Sequence, residues 1–219
     1  MIRPTFLLLL IAFFASAVAQ SREAKLPYDA WYLGFQAPAY MEVWLETADV
    51  EDTLGNLFPR AESGTVSLSY AGNPAGWNQQ PGWGAGRDVT GATLPRRIYV
   101  RWQSLAEPQT YQATIDIPEH ARSLMLSKAL STIHPGLYEY QRILAFELAP
   151  GGWIKGWVMS PSSSPIAVLC QKGEVVAQGP YGGQSGGKYR PLTERAKPYL
   201  ATHPVPYGSW DCSSTGEQR

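Results

Sequence analysis

From residue 31 onward, apolar and polar side chains alternate over short stretches of the chain. In residues 41–50, Met41, Val43 and Leu45 fall on one side and Glu42, Trp44 and Glu46 on the other, the two-residue period of a half-buried strand. Residues 31–37 are read as the strand before it, with 36–40 as the connecting loop. Residues 65–70 alternate again, Val66, Leu68 and Tyr70 against Ser67 and Ser69. In residues 97–103, Ile98, Val100 and Trp102 oppose Arg97, Tyr99, Arg101 and Gln103. Residues 110–117 follow Glu107-Pro108-Gln109 as the second arm of a hairpin. Residues 138–148 and 153–159 flank Ala149-Pro150-Gly151-Gly152, the clearest hairpin in the chain. Residues 166–176 form a further strand, with Gly173 as a bulge or turn.

Helical signals are few. Pro118 opens a short helix, at a position where its missing N–H costs nothing. Ala121, Leu124, Met125 and Leu126 give that helix an apolar stripe as far as about Leu130. Residues 193–200 have room for a helical turn or two, against which Pro198 counts. Residues 72–91 hold six Gly, two Pro and two Trp and are read as a long loop. Trp77 and Trp83 in it want burial, so the loop packs either on its own body or on a partner. Residues 179–187 are a second glycine-rich loop. No repeat appears, and regular strand–helix–strand alternation is absent. The pattern predicts a mainly β, β-rich α+β chain: one antiparallel β-sandwich-like domain over residues 20–219, with one or two short helices and a polar tail after about residue 212.

The first nineteen residues have a different pattern. Arg3 precedes an unbroken apolar run from Phe6 to Phe14, and Ala17-Val18-Ala19 fits a small-x-small cleavage site, so residues 1–19 are read as a signal peptide cleaved after Ala19. The run is about half of the roughly 20 residues that span a bilayer, and no Cys follows it to carry lipid, so no stable membrane anchor is expected after cleavage. Losing Arg3 leaves seventeen basic residues against eighteen acidic ones, with no basic run, which argues against nucleic acid as a partner. Cys170 and Cys212 are read as a disulfide in an oxidising compartment, the alternative being two free thiols. The bridge would close a loop of about 40 residues and stabilise by roughly 3–4 kcal/mol. No close Cys/His spacing suggests a metal site, and neither metal nor cofactor is expected.

Reactive constellations are weak. Gly183-Gln184-Ser185-Gly186-Gly187 matches the G-x-S-x-G pattern, but a nucleophile elbow needs a strand before the Ser and a helix after it, and neither flank fits. Ser185 is read as part of a flexible glycine loop, and His120, His134 and His203 as surface or loop residues. Glu42 with Glu46, and Glu51 with Asp52, could pair for glycoside hydrolysis; the simpler reading is a solvated strand edge. Trp44, Trp102 and Trp157 are read as packing residues, although exposed Trp could stack on sugars.

Several phrases together carry a family resemblance: Trp31-Tyr-Leu-Gly-Phe-Gln-Ala-Pro, Met41-Glu-Val-Trp-Leu-Glu, Leu94-Pro-Arg-Arg-Ile-Tyr-Val-Arg-Trp-Gln-Ser-Leu with Gln109-Thr-Tyr shortly after, and Ala149-Pro-Gly-Gly-Trp-Ile-Lys-Gly-Trp-Val. Over about residues 31–210 the chain resembles an uncharacterised family of exported bacterial proteins, described as lipoproteins, that sit beside phospholipase effectors of the type VI secretion system. The resemblance implies a periplasmic immunity protein, not an enzyme, whose partner is a secreted lipase or phospholipase effector. It implies no catalytic residue. The chain departs from the lipoprotein pattern, because Ala17-Val-Ala-Gln lacks a lipidated Cys. Binding would need aromatic or Arg anchors. Trp77, Trp83 and Arg87 have suitable types, followed by Arg96, Arg97 and Arg101; the plainer readings are a loop folded on its own sheet and a solvated strand face. The alternatives are a periplasmic hydrolase or a carbohydrate- or envelope-binding module.

Overall fold

The computed structural model describes residues 25–215; the signal peptide and cleavage site read from the sequence lie outside them. Two five-stranded sheets face each other. The first runs in the order β11 (Ile166–Lys172), β10 (Trp153–Met159), β9 (Ile143–Ala149), β1 (Ala30–Gln36), β4 (Ala85–Thr90). The second runs β12 (Glu174–Val175), β6 (Gln109–Asp116), β5 (Pro95–Ser104), β2 (Val43–Asp52), β3 (Leu57–Thr65). Every pairing is antiparallel except β1 with β9. The sandwich-like β fold read from the alternation is the fold observed.

The core lies between the sheets. Trp31, Leu33 and Phe35 of β1 meet Ile98, Val100 and Trp102 of β5 and Leu144, Phe146 and Leu148 of β9, all fully buried. Each such side chain is worth about 2 kcal/mol of burial. One sheet is also covered on its outer face. Ile143, Ala145 and Ala149 of β9, with Trp157 and Met159 of β10, pack there against Met41, Trp77 and Trp210. Every residue of β9 is therefore buried, which explains why residues 143–149 read as a near-continuous apolar run. The Cys170–Cys212 disulfide, with Cα atoms 5.6 Å apart, ties the tail carrying Trp210 to β11.

Five elements differ from the sequence reading, the first being the strand read over residues 138–148, which is two, β8 (Tyr138–Tyr140) and β9, in different sheets. Residues 65–70 are not a strand; the strand is β3, displaced toward the N-terminus. It sits at a sheet edge, where Pro59 is tolerated and few side chains need be apolar, so no alternation announces it. β4 lies inside the segment read as a loop. Its Gly86 pairs with Gly34 of β1, and a Cβ on Gly34 would lie 1.8 Å from the Trp83 carbonyl oxygen, so the glycines admit the chain folding back over the strand. The strand read over 166–176 is two, one in each sheet. Gly173 is the corner between them, and a Cβ there would lie 2.7 Å from the Trp102 ring. Helix α1 (Glu119–Met125) starts after Pro118 as expected but stops before Leu126. The chain then forms a separate two-stranded sheet, β7 (Lys128–Leu130) with β8 (Tyr138–Tyr140). Helix α2 (Lys197–Leu200) is a single turn.

Candidate functional site

The acids of β2 and its approach are not a solvated edge. Glu42 and Glu46 are buried, and both hold down residues 178–195, which cross the outer face of the second sheet as a strap. Glu46 accepts from Arg101 Nε at 2.6 Å, Gln103 Nε2 at 3.0 Å and the Tyr181 amide at 2.8 Å. Gln103 in turn accepts from the Arg190 amide at 2.9 Å. Glu42 accepts from the Thr193 amide at 2.9 Å, the Tyr70 hydroxyl at 2.6 Å and the Thr193 hydroxyl. Trp44 donates to the Tyr181 hydroxyl, and the Arg190 guanidinium lies 4.0 Å from the Trp44 ring centre. Each carboxylate thus carries three donors and serves as an anchor. Asp52 organises the β2–β3 turn: burial raises its proton affinity, but hydrogen bonds from Asn56 and Thr93 outweigh that and hold its pKa below the usual value.

Ser185 belongs to this strap. It follows a 3-10 turn (Pro180–Gly183), not a strand, and its hydroxyl donates to the Pro180 carbonyl at 3.4 Å. The His203 ring sits against the Tyr199 carbonyl and the Thr202 hydroxyl. Among the described residues no hydrogen bond joins Ser185 to a histidine.

The arginines singled out in the sequence are all in ion pairs. Arg101 belongs to the Glu46 anchor. Arg87 makes two hydrogen bonds to Glu62 and clips edge strand β4 of one sheet to edge strand β3 of the other. Arg96 pairs with Glu51 and Arg97 with Asp116 and Glu51; both keep about half their side-chain surface in solvent. Trp77 packs inward, edge-on to Trp157, and donates to the Asp211 carbonyl. Trp83 is 41% exposed and leans edge-on against Tyr32. The aromatic loop therefore folds on its own sheet, and only Trp83 of its two indoles meets solvent.

Beneath that loop lies a pair the sequence reading missed. Glu147 of β9 and Lys155 of β10 are register partners on the outer face, both buried. Burial pushes the Glu147 carboxyl up to about 7, against the downward pull of the Asn78 amide, which donates at 3.3 Å, and of Lys155. Clefts of about 240 and 370 Å³ open on either side of Trp77 and Asn78, the first reaching Glu147 and the second Lys155. A carboxyl so placed holds its proton more readily than one in water. The first cleft also carries Ser69 and the second Ser209, and no hydrogen bond joins either hydroxyl to Glu147 among the described residues.

The surface itself is uneven. Eleven large hydrophobic side chains are exposed among the described residues. Leu54, Leu57, Leu126, Leu130, Ile133, Leu137, Tyr138 and Ile166 belong to one end of the sandwich, where β2 turns into β3, β6 leads into α1, and β10 turns into β11. Tyr28 joins that end together, donating to the Met125 carbonyl and meeting Tyr140 edge-on. Only Trp83, Val175 and Tyr207 lie elsewhere. None of the eight was picked out from the sequence as a contact residue. The available signal was residues 126–138, an apolar-rich stretch with Lys128 as its one Lys, Arg, Asp or Glu.

A family model described as "Protein of unknown function (DUF2931)" matches residues 17–208. No curated protein and no solved structure matches the chain. Among the described residues no helix is long and apolar enough to cross a membrane.

Proposed function

The chain belongs to the DUF2931 family, and from that premise we propose that it is an exported binding domain without catalysis of its own, a periplasmic immunity protein that captures and neutralises a secreted lipase of the phospholipase class. The observation that carries this reading is the gathering of eight of eleven exposed large hydrophobics at one end of the sandwich. Apolar side chains gathered on a protein surface mark a contact site, and Arg96, Arg97 and Arg122 near that end are already in ion pairs. The Cys170–Cys212 disulfide suits an oxidising compartment. A hydrolase has less support, since Ser185 bonds to a backbone carbonyl instead of a base. A sugar-stacking module has less too, since Trp83 alone among the indoles is exposed.

The test is co-expression. The chain, exported to the periplasm, is produced together with the phospholipase encoded beside it. Survival of cells that the lipase alone kills is the expected result. Undiminished killing, or a neighbourhood without a lipase, refutes the reading.

A further inference from the structure

Resting on that immunity reading, we infer that residues 126–138 are a preformed spur that seats on the apolar, lipid-facing rim of the lipase, so that the enzyme is kept off the membrane while its catalytic cleft stays open. β7 and β8 pair only with each other. Leu130 and Tyr138 are register partners, so their side chains share one face of the hairpin. Leu126, Leu130, Ile133, Leu137 and Tyr138 are between 44% and 67% exposed. Together they offer on the order of 500 Å², well over half of the ~800 Å² one partner contributes to a standard interface.

The tip is held in shape without a partner. The Ser131 hydroxyl oxygen accepts from the Ile133 and His134 amides, and the Ser131 amide donates to the Leu137 carbonyl. The Thr132 amide and hydroxyl both donate to the Ser162 carbonyl at 2.7 Å, and the Ser162 hydroxyl reaches Ser131 and Glu139. A spur with its backbone already satisfied loses little freedom on docking, and it keeps its apolar side chains pointing outward.

Charge decides the occupant. Lys128 is the one Lys, Arg, Asp or Glu between residues 126 and 138, and its ammonium lies 4.8 Å from the Tyr140 ring centre. An anionic bilayer is gripped by several basic residues around an apolar wedge, and this spur has no such rim. A rigid, nearly uncharged projection instead complements a rigid, nearly uncharged protein face. An enzyme that works on bilayer phospholipids must carry such a face around its entrance, because that is the surface it lays on the lipid.

Two substrates and one variant test this. The full chain is titrated into the neighbouring phospholipase with phospholipid vesicles, and separately with a water-soluble short-chain ester. Vesicle hydrolysis is expected to fall at least 20-fold while ester hydrolysis stays within twofold. Ile133→Asp is expected to weaken binding at least 100-fold at an unchanged melting temperature, and Ile133→Ala, which trims a mostly exposed side chain, about tenfold. Equal loss of both activities overturns the proposal in favour of a plugged cleft. Full affinity in Ile133→Asp overturns it while leaving the immunity reading intact. A wild-type chain that ignores the lipase but sediments with vesicles through the spur overturns both.

Discussion

The tail disulfide offers the sharpest stability prediction. Replacing both Cys170 and Cys212 by Ser removes a cross-link spanning 42 positions of the chain. The loop it closes contains β12, the strap over the second sheet, α2 and Trp210. In the chain-entropy treatment a loop of this length is worth about 4 kcal/mol, because the unlinked unfolded chain regains that freedom. Urea sensitivity for a chain of this size is about 2.5 kcal/mol/M, so the midpoint should fall by about 1.5 M. The assay is equilibrium urea unfolding of the wild type and the double variant, followed by tryptophan fluorescence, with amide exchange read on residues 197–212. Exchange in that segment should rise by more than in β9, since Trp210 and its neighbours are held on the outer face partly by the bridge. A midpoint shift below 0.3 M with unchanged tail protection would refute the reasoning, since the tail would then be held by packing alone.

Two further predictions concern the buried acids. Glu46→Ala leaves Arg101, Gln103 and the Tyr181 amide without their acceptor and should cost about 3–4 kcal/mol, with faster exchange across residues 178–195; a loss under 1 kcal/mol would show that the strap does not depend on it. Glu147 binds its proton up to about pH 7 in the folded state, against 4.5 in the unfolded chain. Between those two values the folded state holds more protons, so stability falls as pH rises, by an amount of order 3 kcal/mol in total, and is greatest below the lower value. Glu147→Gln should flatten the unfolding free energy between pH 4.5 and 7; an unchanged slope would assign the dependence elsewhere.

The strands most visible beforehand are those with one face in the core and one outside. β5 shows this best: Ile98, Val100 and Trp102 face inward and Arg97, Tyr99 and Arg101 outward. The hairpin at Ala149-Pro-Gly-Gly was legible because its turn chemistry is local. β3 and β4 were not, because edge strands need little apolar surface and their hydrogen bonds come from neighbours distant in the chain. The acids misled for a related reason. Glu42 and Glu46 occupy outward positions of an alternating strand, and only the strap from residues 178–195 makes outward mean buried.

The order of apolar and polar residues by itself determined that this chain builds short strands into a sandwich and that two cysteines are available to bond. Those properties rest on neighbours a few residues apart, or on composition. Tertiary structure alone decided which arginines are consumed by partners, that Trp77 turns inward, that Glu147 and Lys155 share a covered face, and that Leu54, Leu130, Ile133 and Ile166 gather at one end. These depend on contacts between residues tens of positions apart, and a side chain's surroundings are set by whatever the fold lays over it.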